Sequence, residues 1–178
     1  ALHGIMRLRF RPGDTAVVLG CGAIGLFAVQ MAKIMGASQV IAVDIDEQKL
    51  EFARNAGADI VIETAGTSIT QVQSIEICRK HGQVLYLGTA HKDVVIPPHV
   101  FEHIVRNEIT LTGSWNSYSA PFPGREWTGV IGFLEEKRLD IKSFITHQYP
   151  LDEAPKVIRE MAARSFMFNK IVLVLDNE

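Results

Sequence analysis

Three glycines and one acid carry the clearest chemistry in this chain. Gly20-Cys21-Gly22-Ala23-Ile24-Gly25 follows the apolar run Thr15–Leu19, and behind it Ile24, Phe27, Ala28, Met31 and Met35 recur at helical spacing until Gly36. In a strand-turn-helix of this kind each glycine answers a need. Gly20 permits the sharp turn, Gly22 leaves the backbone bare so that a pyrophosphate can meet the positive end of the helix, and Gly25 lets the helix lie close to the sheet. A second apolar run, "QVIAVD", ends in Asp44, roughly 20 residues beyond the glycines, where a carboxylate can accept both hydroxyls of an adenosine ribose. The same carboxylate repels a 2′-phosphate, and no arginine directly follows it, so the pattern favours NAD over NADP. Asp44 and Asp46 both precede the helical run "EQKLEFARNAG"; Asp46 is the better N-cap and Asp44 the better ribose ligand.

The elements that must position these residues alternate along the chain. "RPGDT" forms a turn before the first strand. Later come "ADIVIETAG", a helix over 67–80 closed by His81-Gly82, the strand "QVLYLGTA", a part-extended and part-helical "KDVVIPPHVFEHIVRN", and the strand "EITLTGSW". A helix near 126–138, the strand "FITHQYPL", a helix near 152–163 and the strand "KIVLVL" complete the chain. Repeated strand-helix-strand units imply an α/β fold with a parallel sheet covered on both faces, whose ligands sit at the carboxyl ends of the strands. The candidate site therefore comprises Gly20 to Gly25, Asp44, Thr64 to Gly66, Gly88 to Ala90 and Gly113 to Trp115.

Composition bounds the answer. The 178 residues, 47% of them hydrophobic, suffice for one large domain or a domain with an appendage. A formal charge of −2 and a pI near 6.3 give the whole chain no basic footprint for nucleic acid or an anionic membrane, and no apolar run of about 18 residues indicates a membrane span. The chain opens at Ala1 without a methionine, as if cut from a longer protein. Cys21 and Cys78 read as small buried thiols in a reducing cytoplasm. His99 and His103 are an i, i+4 pair, but no HExxH glutamate or cysteine ligand accompanies them, so no metal site is expected there. Trp115, Tyr118, Phe122 and Trp127 with Pro121 and Pro123 read as a rigid connector before a sugar platform, and Arg125 as a surface arginine or a partner for a substrate phosphate.

Taken in order, "RPGDTAVVLGCGAIG", "VIAVDIDEQKLEFARNAGAD", "VIETAG", "GQVLYLGT", "EITLTGSW" and "PLDEAPKVIREM…NKIVLVL" resemble the medium-chain zinc-type alcohol and polyol dehydrogenases. Within that family "GSWNSYSAPFPGREW" is most similar to the subgroup acting on galactitol 1-phosphate, and next to the one acting on sorbitol. The resemblance implies a doubly wound Rossmann sheet over residues 1–114 and a segment, 115–178, that completes the catalytic domain of a longer enzyme. It also implies an NAD site. Gly20, Gly22, Ala23, Ile24 and Gly25 would hold the pyrophosphate, and Asp44 and Lys49 would lie at the ribose. Thr64 and Gly66 would flank the adenosine side, Leu87, Gly88 and Thr89 the nicotinamide, and Ser114 and Trp115 its carboxamide.

In the family, zinc held outside this part polarises the alcohol oxygen while hydride passes to the nicotinamide. The chain alone is therefore expected to bind NAD without turning over a polyol or polyol phosphate. Threonine, butanediol or a simple alcohol is the alternative substrate, and a non-catalytic NAD-binding module the alternative role. The resemblance further implies a cytoplasmic homo-oligomer paired through the edge strand Glu108–Ser114, with no nucleic-acid or membrane partner. One departure stands out: between Gly57 and Gly66, "ADIVI" and "VIETAG" share a single run where the family has two strands and a crossover, so a segment is expected to be missing near 58–63.

Overall fold

A computed structural model describes residues 1–44, 57–116, 119–163 and 165–175. It resolves into two compact units, Ala1–Leu139 and Asp140–Glu178. In the first unit five parallel strands, β1 (Thr15–Leu19), β2 (Gln39–Val43), β3 (Ala58–Glu63), β4 (Cys78–Tyr86) and β5 (Thr110–Gly113), lie in the order β2-β1-β3-β4-β5. The helices are α1 (Leu2–Ile5), α2 (Ala23–Ile34), α3 (Ser68–Glu76), α4 (Pro98–Asn107) and α5 (Arg125–Glu135).

Period-two alternation sends each strand's apolar residues to opposite faces. Val17, Val61 and Val84 pack with Ile75 of α3 and Val100 of α4, while Ala16, Val18, Ile60 and Leu85 pack with Ile5 of α1 and Met31 of α2. Both faces are covered, which is why β1 and β3 read as near-continuous Val/Ile runs, and each such side chain contributes about 1.5–3 kcal/mol by burial. The fold is the doubly wound Rossmann-type sheet that the alternation implied. The compact division falls after Leu139, later than the expected boundary at 114/115, because Val130, Phe133 and Leu134 of α5, with Leu139, pack into the core of the first unit.

The run expected as a helix over 67–80 divides differently. Thr67 caps α3, its hydroxyl accepting from the Thr70 N–H at 3.1 Å, and the helix ends at Glu76. Cys78 then pairs with Ala58 of β3, and the register resumes only at Ile60 with Gln83, so Arg79 to Gly82 bulge out of the strand with His81 at φ 61°. A Cβ on Gly82 would lie 2.8 Å from the Arg79 carbonyl oxygen and 3.0 Å from that of Asp59. Only glycine fits this fold-back, so the expected helix stop is instead the neck of a bulge.

Burial, reinforced by the nearby Asp59 carboxylate, pushes the Cys78 thiol up to about 12. It therefore stays protonated at pH 8. Half-buried Cys21 is expected to react fast with a disulfide reagent in the native protein and Cys78 only after unfolding. Two fast thiols at pH 8 would contradict the placement of Cys78.

The second unit holds β6 (Ile145–Pro150) and β7 (Lys170–Val174), a parallel pair joined through a 3-10 turn at Leu151–Glu153 and α6 (Ala154–Ala162). His147 stacks on Tyr149 and meets Phe166 edge-on.

Candidate functional site

Because all five strands are parallel, their carboxyl ends share one rim, and the strand order sets the sequence of groups along it: Asp44, Gly20 to Gly25, Glu63 to Gly66, Leu87 to Thr89, then Ser114 and Trp115. At about 4.8 Å between neighbouring strands the rim extends about 19 Å. Lys49 lies outside the described residues, as do Asp46 and most of the helical run expected behind it.

The glycine turn is locked from beneath. Gly20 sits at φ 97°, the left-handed region. The Thr64 hydroxyl reaches both the Leu19 and Gly20 carbonyl oxygens at 3.0 Å, so its side chain braces the turn instead of facing a ligand. A Cβ on Gly25 would collide with the Gly20 carbonyl oxygen, whereas one on Gly22 would meet nothing within 4 Å. The space over Gly22 is open, α2 begins there with no side-chain cap, and its first turn carries no acid. The first amides of a helix have no intrahelical partner, and these face that opening; the arrangement suits an anion. Exposed Ile24 stands beside it.

Asp44 directly follows β2 and its Oδ2 accepts from the Cys21 N–H at 2.8 Å. The carboxylate is thus held against the turn from the neighbouring strand.

Glu63, which sequence reading left out of the site, is its most buried acid, at 0% exposure. Its Oε1 accepts from the Gly66 N–H at 2.8 Å and from the Thr70 hydroxyl at 2.7 Å, while Oε2 is buried with no hydrogen-bond partner. A Cβ on Gly88 would lie 2.7 Å from Oε2 and 2.6 Å from the Gly66 Cα. The β3 and β4 loops therefore touch backbone to backbone above this carboxylate. Burial pushes the Tyr86 phenol up, opposed by the Ser74 hydroxyl and reinforced by Glu63; its O–H donates to the Gln71 carbonyl at 3.0 Å.

Beyond Gly88 the rim opens into a cavity of about 700 Å³. Leu87, Gly88, Thr89, Ser114 and Trp115 line it together. Tyr86 joins them, with His3, Arg7 and Gln71, which no pattern in the sequence indicated because they arrive through packing of α1 and α3. Gln71 Nε2 donates to the Gly88 carbonyl at 3.2 Å. The Ser114 N–H is bound to the Tyr86 carbonyl at 3.1 Å, and its Oγ is buried without a partner. Such a volume, mostly apolar with a few fixed polar groups, suits a small organic ligand.

Other expected groups lie elsewhere. His103 donates or accepts at both ring nitrogens, with the Cys78 carbonyl and Asn107, and His99 approaches Glu76 at 3.9 Å. Among the described residues no three His, Cys, Asp or Glu side chains come together to hold a metal. Arg125 begins α5 beside Pro121 and Pro123, and Phe122 meets Trp127 edge to face at 5.2 Å. No helix among the described residues is long and apolar enough to cross a membrane.

Comparison with known proteins gives this geometry a context. A family model described as zinc-binding dehydrogenase matches residues 23–64 and 54–136. The two stretches overlap across residues 54–64 of this chain. Galactitol 1-phosphate 5-dehydrogenase of Escherichia coli K12 is 32% identical over 197 positions, which cover 97% of this chain and 57% of that protein. That span exceeds the 178 residues of the chain, so the relative carries residues that are absent here. The crystal structure of galactitol-1-phosphate dehydrogenase from Escherichia coli superposes with a TM-score of 0.83 at 30% identity, over 97% of this chain and 57% of that one. A zinc-binding dehydrogenase of Sinorhizobium meliloti, solved bound to NADP, matches with a TM-score of 0.74 at 27% identity, over 97% of this chain and 56% of that one.

Proposed function

Since this chain belongs to the zinc-binding dehydrogenase family, we propose that it is the cofactor-binding part of an NAD-dependent oxidoreductase acting on a polyol or polyol phosphate of the galactitol 1-phosphate kind. The observation that carries the cofactor reading is the open space over Gly22 at the uncapped start of α2, with Asp44 fixed beside it just past the next strand. Bound NAD would supply the hydride acceptor. The chain's own residues would hold it: Gly22 and the amides of Ala23 and Ile24 at the pyrophosphate, Asp44 at the adenosine ribose, and the cavity of Leu87, Gly88, Thr89, Ser114 and Trp115 around the nicotinamide. The backbone at Ser114 and Trp115, which line that cavity, would meet the carboxamide. The Sinorhizobium neighbour binds NADP; Asp44 favours NAD here because a second negative charge at the ribose would face it directly.

The chain spans 57% of the length of its galactitol-dehydrogenase relative. Among the described residues no three His, Cys, Asp or Glu side chains come together to fit the zinc of the family, and the metal and the alcohol would be held by the remainder of the enzyme. The exposed outer strand β5, with Leu111 40% accessible, supports pairing of two subunits along that edge. The order β2-β1-β3-β4-β5 is the six-stranded dinucleotide-binding order without its outermost strand. Together with the doubly matched run 54–64, this supports the absence of one strand-helix unit outside β2.

The test is titration of the 178-residue chain with NADH, followed by fluorescence. Saturable binding is expected, weakened about tenfold by Asp44→Ala, with no oxidation of galactitol 1-phosphate when zinc is added. Turnover by this chain alone, or binding indifferent to Asp44→Ala, would refute the reading.

A further inference from the structure

At the opposite end of the sheet, among the amino ends of the strands, lies a second cavity, of about 470 Å³. Five cationic side chains line it, Arg7, Arg9, Arg11, Arg79 and Lys80, against two carboxylates, Asp14 and Asp59. Its arginines are placed by a simple device. Arg7 and Leu8 continue the turn that closes α1, their N–H groups donating to the Gly4 and Ile5 carbonyls at 3.0 Å; Leu8 is buried, Phe10 half-buried, and Arg7, Arg9 and Arg11 are exposed around them. Gln83 of β4 fixes the middle of this run: the Arg9 N–H donates to Gln83 Oε1 at 3.0 Å, and Gln83 Nε2 donates to the Arg9 carbonyl at 3.1 Å. Lys80 enters from the bulge of β4.

Both carboxylates are already engaged. Asp59 forms an ion pair with Arg79 and accepts from the Thr15 N–H at 2.9 Å, and Asp14 accepts from the Arg11 N–H at 2.7 Å. Among the described residues Arg7, Arg9, Arg11 and Lys80 have no carboxylate within ion-pair reach. Four like charges held around one cavity repel each other, and an anion with several oxygens relieves that repulsion while giving the guanidinium groups bidentate acceptors.

We propose that this cavity is a binding site for a small polyanion carrying two or more phosphate groups, built on Arg9, Arg11 and Lys80, none of which lines the cavity at the cofactor rim, whereas Arg7 lines both. Strands of five to six residues place it about 17 Å from the glycine turn. A single phosphate would engage only part of the cation set, whereas a linear polyphosphate can bridge Arg9, Arg11 and Lys80.

Calorimetric titration of the whole chain with inorganic tripolyphosphate tests this, with orthophosphate and a pentaglutamate peptide as comparison ligands. Saturable tripolyphosphate binding is expected, at least about tenfold tighter than either comparison ligand, falling with ionic strength and weakened about tenfold by Arg9→Gln/Arg11→Gln. Lys80→Gln, in an exposed bulge, should weaken it severalfold without changing the melting temperature, so loss of binding cannot be assigned to unfolding. Gly22→Ala should leave tripolyphosphate binding unchanged. No saturable binding, equal binding of the peptide, or binding lost with Gly22→Ala but kept in the arginine and lysine variants would overturn the proposal.

Discussion

Gly22→Ala is expected to keep the fold and lose the cofactor, whereas Gly25→Ala is expected to lose both. At Gly22 the backbone already has φ −68° and ψ −177°, which alanine adopts freely, and the added methyl meets no protein atom. Its melting temperature should therefore be unchanged or slightly raised, since alanine restricts the unfolded chain by about 0.4–1 kcal/mol relative to glycine. The methyl would, however, occupy the space a pyrophosphate needs, and NADH affinity should fall by at least about tenfold, about 1.4 kcal/mol. At Gly25 the same methyl would overlap the Gly20 carbonyl oxygen and come within 2.9 Å of Thr64 Oγ1. Neither can withdraw: the carbonyl belongs to a turn fixed at φ 97°, and the hydroxyl is bound to that same carbonyl. Overpacking of this kind costs about 1–3 kcal/mol, which lowers the melting temperature of a chain this size by about 2–12 °C. Thermal melts paired with NADH titrations of the two variants separate the effects; equal losses of stability in both would show that the open space over Gly22 is misplaced.

Glu63→Ala is expected to destabilise the first unit strongly. Removing the carboxylate leaves the Gly66 N–H without its acceptor and opens a void between the β3 and β4 loops, while the Thr70 hydroxyl keeps the Thr67 carbonyl at 3.1 Å. An unmet buried donor costs about 1–3 kcal/mol, and the void adds to that, for a total of about 3 kcal/mol or 6–12 °C. Glu63→Gln keeps one acceptor oxygen for both donors and sets an amide where Oε2 now lies unpartnered, so its loss should be about half as large. If the glutamine variant melted as low as the alanine variant, the two hydrogen bonds to Oε1 would not be what holds the loops.

The part of this molecule that the sequence made legible is the part set by local geometry. Gly20, Gly22 and Gly25 announce themselves because a strand, a tight turn and a helix constrain consecutive residues, and Asp44 because it directly follows the next strand. The helix over 67–80 was drawn too long for the opposite reason. Ile77 and Cys78 continue an apolar helical pattern, and only their pairing with β3, set by residues 20 positions earlier, turns Cys78 into strand. Glu63 went unread because an acid after Ile-Val-Ile resembles the polar end of any strand; its burial depends on Gly66, Thr70 and Gly88 folding over it. His3, Arg7 and Gln71 reach the cavity through contacts between distant elements, and no spacing along the chain records those.

The position of β2 at the rim of the sheet bears on how such a protein tolerates loss. Each interior strand holds two ladders of backbone hydrogen bonds, so excising β1, β3 or β4 would orphan polar groups on both neighbours. Anything lying outside β2 is joined to the rest by one ladder only. A parallel sheet can thus be shortened from its margin as a scarf can be shortened from its end, without unravelling the rows that remain. The glycine turn lies on β1, one strand in from that margin, beyond the first row that such trimming would expose.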